Sequence, residues 1–263
     1  MDINCDMGES FGRYTLGQDV QLMSLVTSVN IACGFHAGDP LVMQETVRLA
    51  LDHGLAIGAH PSYPDLQGFG RREMALSPGE VEAMVLYQIG ALAGFVQSAG
   101  SRLHHVKPHG ALYNQAAKDP TLAAAIARAV RRHDPGLILI GLAGSALVEA
   151  GIEAGLRTAA EGFPERGYNP DGTLIRRGQP GAQIDSPKLA GEHAVQLATN
   201  GIQFKRDDAI YQVTVETLCI HGDAPQALQI ARAVNAALAS AGIVITNPDT
   251  TRQVAAAAAA ESR

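Results

Sequence analysis

The chain has 263 residues, of which 46% are hydrophobic and 17% charged, with a formal net charge of -6. That is enough apolar material for a sizeable core and too little charge for a solvated, disordered chain. No basic block or basic amphipathic face exists to grip nucleic acid or a membrane surface. Cys5, Cys33 and Cys219 are odd in number and unpaired in spacing, so they read as small buried residues rather than a disulfide framework or zinc knuckle. No basic segment followed by an apolar stretch opens the chain, and no apolar run is read as reaching the ~18–20 residues of a membrane span. A soluble, reducing, cytoplasmic setting is the expectation.

In chain order, Met1–Cys5 predicts a first strand and Asp19–Val26 a short helix. Val29–Cys33 predicts a second strand. Pro40–His53 predicts a helix capped by Asp39 and stopped at Gly54. Leu55–Ala59 is a third predicted strand. Ser77 and Glu80 then make a capping box that opens a helix to about Ala99. Leu103–Val106, Leu137–Gly141 and Leu156–Ala160 are further strands, alternating with helices that start at Asp119-Pro120 and Ser145. Residues 162–184 break the rhythm with a Gly-, Pro- and Arg-rich loop, an Asn169-Pro-Asp-Gly172 turn and a hairpin arm at Thr173. Ser186-Pro187 opens another helix, Gln212–Ile220 reads as one long strand, and Ala224–Ala241 as a helix capped by Asp223. Ile243–Thr246 reads as a last short strand. One domain over residues 1–250 with an alanine-rich tail over 251–263 follows, either a (β/α) barrel or an open doubly wound sheet.

The polar residues cluster where predicted strands end. Asp6 and Glu9, His36 and Asp39, His60 and Asp65, Lys107 and His109, Glu161, and His221 and Asp223 each follow one strand. In a parallel α/β fold these positions ring one mouth, the side on which active sites form. Asp39 reads first as a helix cap, and His36 and His221 either join the site or bond their own loops. Pro61 and Pro108 fix the directions of His60 and His109. Lys107 in such a mouth would steady an anion, and Arg71-Arg72 and Arg176-Arg177 are either solvated pairs or carboxylate binders. Carboxylates can activate water and histidines can shuttle protons near neutral pH. No His-x-x-x-His or Cys-x-x-Cys pair signals a metal, no Gly-x-Ser-x-Gly elbow signals a serine nucleophile, and neither a dinucleotide fingerprint nor a P-loop is present. Hydrolysis of a C–N bond by activated water is the most economical reaction class.

Five blocks carry a resemblance: Asn4-Cys-Asp-Met-Gly-Glu-Ser-Phe-Gly12, Asn30-Ile-Ala-Cys-Gly-Phe-His-Ala-Gly-Asp-Pro40, Gly58-Ala-His-Pro-Ser-Tyr-Pro-Asp65 with Gly68-Phe-Gly-Arg-Arg72, Lys107-Pro-His-Gly-Ala-Leu-Tyr-Asn114, and Cys219-Ile-His-Gly-Asp223. Together with Glu161-Gly-Phe-Pro-Glu-Arg-Gly-Tyr168 and Asp171-Gly-Thr-Leu-Ile-Arg-Arg177, they resemble the LamB/YcsF family from Asp2 to about Asn247. The resemblance implies an incomplete TIM-like (β/α)7 barrel of the glycoside hydrolase/deacetylase type. It implies the A subunit of an ATP-dependent 5-oxoprolinase, which opens 5-oxo-L-proline to L-glutamate with partner subunits B and C. ATP with its Mg2+ is then expected to sit largely on the partners, and a homo-oligomer is left open. On this reading Asp6, Glu9, His60, Lys107, His109 and Glu161 are the catalytic candidates. Asn4, Asn30, His36, Arg71, Arg177 and His221 are the substrate-binding candidates. The superfamily often holds a divalent metal between a first-strand aspartate and later histidines, which Asp6, His36 and His60 could imitate. Two rival readings are a stand-alone metal-dependent amidase or deacetylase and a non-catalytic 5-oxoproline-binding subunit.

Overall fold

The computed structural model describes residues 1–206, 208–222 and 226–247. The first half runs β1 (Asp2–Met7), α1 (Asp19–Met23), β2 (Ser28–Ala32), α2 (Pro40–Asp52), β3 (Ala56–His60), α3 (Pro78–Ser98), β4 (His105–Val106), α4 (Gly110–Ala116) and α5 (Pro120–His133). The second half runs β5 (Ile138–Leu142), α6 (Ala146–Glu153), β6 (Arg157–Gly162), α7 (Pro187–Asn200), β7 (Ile202–Arg206), β8 (Ala209–Val213), β9 (Thr217–His221) and α8 (Ala227–Ser240). Seven strands close into a parallel barrel in the order β1-β2-β3-β4-β5-β6-β9, as expected for the seven-stranded TIM-like class. Closure rests on two residue pairs, Glu161 with Thr217 and Gly162 with Leu218.

Every residue of β1 and β2 is buried, the mark of strands covered on both faces. Ile3, Cys5 and Met7 face the helices and join the main core. Asp2, Asn4 and Asp6, at the alternate positions, face the barrel interior, where they bond across to other strands. A typical parallel barrel fills its interior with branched aliphatic side chains. Here the β5–β6 side does so, through Ile138, Ile140 and Ala159, while Asp2, Asn4, Asp6, Asn30, His105 and Lys107 bring buried polar groups to the other strands.

The caps form as the sequence predicts. Asp39 accepts from the backbone of Leu41 and Val42, and its other oxygen accepts from Gly12 N at 2.7 Å. Ser77 and Glu80 close a reciprocal capping box, and Asp119, Ser145 and Ser186 cap α5, α6 and α7. Four expectations need correction. Gln212–Ile220 is not one strand: Gln212 and Val213 end β8, the chain turns, and Thr217 begins β9. The antiparallel β7–β8 hairpin is not anticipated by the sequence reading, although Ile202 and Phe204 alternate inward at strand period. Ile243–Thr246 forms no strand, although Val244 O and Thr246 N bond the backbone of Met1. Finally, α3 is, by length and composition, long and apolar enough to cross a membrane. In the fold its apolar face, including Val85, Ile89 and Leu92, packs into the core against α5 and β3. Asp223 and the alanine-rich tail lie outside the described residues.

Candidate active site

At the carboxyl ends of the strands a cleft of about 880 Å³ opens, with Asp6, His60, Lys107, His109 and His221 on its floor and Arg71, Arg176 and Arg177 among its walls. Register explains the floor. Asp6 is paired with Asn30 on one side and His221 on the other, and β3 ends at His60 beside Ala32.

Lys107 is the centre of this floor. Its Nζ lies 2.9 Å from Asp6 Oδ1 and 3.0 Å from Glu161 Oε1, and it also donates to Asn4 Oδ1 at 3.1 Å and to Cys219 Sγ at 2.9 Å. Burial alone would lower its pKa, but Asp6 and the other partners outweigh that and hold the ammonium well above its usual range. The ammonium thus stands between two carboxylates and aims both.

The two carboxylates differ in access. Glu161 is fully enclosed, taking Asn4 Nδ2 at 2.9 Å and the Tyr113 hydroxyl at 2.6 Å. Asp6 lines the cleft. Burial pushes its carboxyl up, but the neighbouring His60 and the Lys107 ammonium override this and hold it well below the carboxylate range. Asn30 donates to Asp6 Oδ1 at 2.9 Å. Asn4 and Asn30 thus lie beneath the floor and bond to its carboxylates; neither lines the cleft. Below them, His105 bonds Asn30 Oδ1 through Nε2 at 2.8 Å, its ring resting on Gly58, where a Cβ would sit 2.1 Å from ring atoms.

One side of the mouth gathers Glu9, His36, His60 and His109, all buried. The His36 and His109 rings stack at 3.8 Å. Burial, then neighbouring histidines, hold both well below the usual imidazole pKa, so both are neutral at pH 7. Gly70 closes over them with φ +63°; a Cβ there would meet Ser62, His109 and His36 within 3 Å. Asp65 organises that loop, accepting from Gly68 N and pairing with Arg72, while Arg71 lies over the Phe69 ring. On the opposite wall, His221 pairs with Glu165 and stacks on Phe163. Arg166, buried, bonds the carbonyls of Ala182 and Ile175 and so staples the 163–184 loop; burial and Arg177 bring its pKa down to about 10. The predicted hairpin arm appears there as a single bridge, Tyr168 with Leu174.

Of the residues expected from the strand ends, Asp6, Glu9, His36, His60, Lys107, His109, Glu161 and His221 therefore gather at the mouth, whereas Asp39 caps α2 and Asp65 organises its own loop. Sequence reasoning misses Tyr113, Glu165, Arg166 and Cys219. Glu165, Arg166 and Tyr113 lie inside the quoted blocks but at no strand end. Cys219 reads from the sequence as a packing residue; it is buried as expected, but its sulfur also accepts from Lys107.

The LamB/YcsF family profile matches residues 1–253. The chain is 58% identical over 245 residues to the A subunit of 5-oxoprolinase from Methylococcus capsulatus, covering 93% of this chain and 94% of that one. It is 56% identical over 245 residues to the A subunit of 5-oxoprolinase from Heliobacterium modesticaldum, covering 93% and 96%. Among solved structures, it is similar to the lactam utilization protein from Thermus thermophilus, with 50% identity, a TM-score of 0.86, and 94% and 98% of the two chains covered.

Proposed function

We propose that this chain, which belongs to the LamB/YcsF family, is the A subunit of a cytoplasmic ATP-dependent 5-oxoprolinase, working with subunits B and C to open 5-oxo-L-proline to L-glutamate. Relatives at 50–58% identity named for that subunit support the reading. The observation that carries it chemically is Asp6: an ionised carboxylate on the cleft floor, steadied by Lys107 and Asn30, is placed to activate water.

A lactam carbonyl is a poor electrophile, and ATP overcomes this. Transfer of the terminal phosphoryl group to the amide oxygen activates the ring carbon, and water then adds to it as Asp6 takes a proton. The C–N bond breaks as the ring nitrogen gains the proton that Asp6 took from water. A second water releases the phosphate. Arg71 or Arg177 on the walls binds the substrate carboxylate. Glu161, enclosed, positions Lys107. ATP and Mg2+ bind largely on the partner subunits, since the chain carries no P-loop.

The test mixes the three subunits, omits each in turn, and measures ring opening and ATP hydrolysis separately. Asp6→Asn is expected to cut ring opening by about 10²-fold or more. Full ring opening by that variant in the reassembled complex would remove Asp6 from the mechanism, and turnover without this chain would overturn the assignment.

A further inference from the structure

The Glu9–His36–His60–His109 side of the mouth brings four potential donor atoms together. His60 Nδ1 lies 2.7 Å from the Lys107 carbonyl oxygen, and His109 Nε2 lies 2.9 Å from the Phe69 carbonyl oxygen. A carbonyl oxygen only accepts, so each of these nitrogens carries its ring's hydrogen. With those tautomers the remaining ring nitrogens, His60 Nε2 and His109 Nδ1, are both acceptors in neutral imidazoles, and they face each other at 2.9 Å. Further acceptors crowd the same space. Asp6 Oδ2 is 3.3 Å from His60 Nε2, and Glu9 Oε1 is 3.6 Å from His109 Nδ1 and 3.2 Å from His36 Nε2. Hydrogen bonding accounts for the His36–Glu9 contact when His36 carries its hydrogen on Nε2, but the close approach of His60 Nε2 and His109 Nδ1 has no such account in neutral rings with these tautomers. A multivalent cation among them satisfies all.

We propose that Glu9, His36, His60 and His109 are the ligands of a divalent first-row transition-metal ion, with Zn2+ the ion whose preferences the set meets. One donor atom from each residue lies within 4.8 Å of the other three. Separations of 2.9, 3.2 and 3.6 Å bracket the roughly 3.3 Å edge of a tetrahedron whose ligands stand about 2.0–2.1 Å from the ion. Three imidazoles and one carboxylate suit zinc, iron, cobalt or manganese; Mg2+ and Ca2+ prefer all-oxygen shells. The carbonyls of Lys107 and Phe69 behind the rings are the supports that fix tautomer and orientation in metal-binding histidines. His36 Nδ1, buried with no hydrogen-bond partner, is where that ring can carry its hydrogen once Nε2 presents a lone pair to the ion. Asp6 borders the site but commits Oδ1 to Lys107 and Asn30. The four ligands come from four successive strand ends, which is why no local spacing announces them. The inference stands on these contacts and not on the reaction proposed above.

The test uses the full chain, stripped with chelator and dialysed, then titrated with Zn2+ by calorimetry and with Co2+ followed by visible absorption. One ion per chain is expected, with a Co2+ spectrum of a nitrogen-ligated tetrahedral or five-coordinate site. His60→Gln and the isosteric Glu9→Gln are each expected to weaken binding at least about 100-fold, with the fold checked by circular dichroism, while His53→Gln, altering a histidine at the end of α2, leaves affinity unchanged. Should His60→Gln fail to fold, Glu9→Gln decides alone. No stoichiometric binding by the wild-type chain, or binding that survives these ligand substitutions, overturns the proposal.

Discussion

Asp2 and Asp6 project from the same strand into the same barrel, four residues apart and both buried, yet they sit in opposite surroundings. Asp2, at the base, takes its side-chain hydrogen bonds from hydroxyls: Thr27 at 2.7 Å, Ser28 at 2.9 Å, and Thr217. Burial dominates there and its pKa is raised. Asp6, at the mouth, suffers the same burial, but the neighbouring His60 and the Lys107 ammonium reverse the shift. The contrast separates two uses of a buried carboxylate. At the base it is a hydrogen-bond hub that ties β1 to β2 and β9. At the mouth it is a charge kept ionised beside a cleft, which is what base chemistry requires. The signs of linkage follow. A raised carboxyl contributes stability below about pH 3.8 that is lost as pH rises through its folded pKa. A lowered one contributes stability above about pH 3.8 that is lost as pH falls through its folded pKa.

Three experiments strain this contrast. The largest effect is expected from Lys107→Met, which leaves Asp6 and Glu161 facing each other without a cation. Unfolding free energy should fall by about 3–5 kcal/mol in urea denaturation. A loss under 1 kcal/mol would show that the mouth does not depend on this charge. Next comes His105, between the two ends. Burial holds its pKa well below the usual imidazole value, so it is neutral when folded and titrates near 6.5 when unfolded. Its contribution is present above about pH 6.5 and is lost as pH falls below it, reaching about 1.4 kcal/mol at pH 5.5. In chelator, to keep metal release out of the measurement, His105→Gln should lose less stability between pH 7 and 5.5 than wild type by that amount; equal losses would place the acid sensitivity elsewhere. The smallest effect is expected at the base. Asp2→Asn keeps the shape and the hydroxyl partners and removes an ionisation that burial disfavours. Its stability at pH 7 should stay within about 1 kcal/mol of wild type or rise, and a large loss would give Asp2 the same electrostatic weight as Asp6.

Much of the site is legible in the linear chain. Caps at Asp39, Ser77, Asp119, Ser145 and Ser186 mark where helices begin, and the ends of the predicted strands supply Asp6, His36, His60, Lys107, His109 and His221. The misses have one cause. Tyr113 meets Glu161 across 48 residues, Lys107 meets Cys219 across 112, and His105 meets Asn30 across 75. None of these pairs shares a local frame. The split of Gln212–Ile220 escapes for a related reason: β-branched residues continue through the break, and only the barrel's closure against β6 dictates where pairing restarts.

The amino-acid sequence by itself determined the local elements, through hydrophobic period and cap chemistry acting over a few residues, and with them the placing of polar groups at strand ends. Tertiary structure decided what those groups are. Whether a carboxylate is a hydroxyl-bound hub or an ionised base, and whether a histidine's bare nitrogen faces a donor or another lone pair, depends on groups that barrel closure brings within about 3 Å. At that range in a low-dielectric interior a single charge outweighs the cost of burial, and its identity comes from strands far away in the chain.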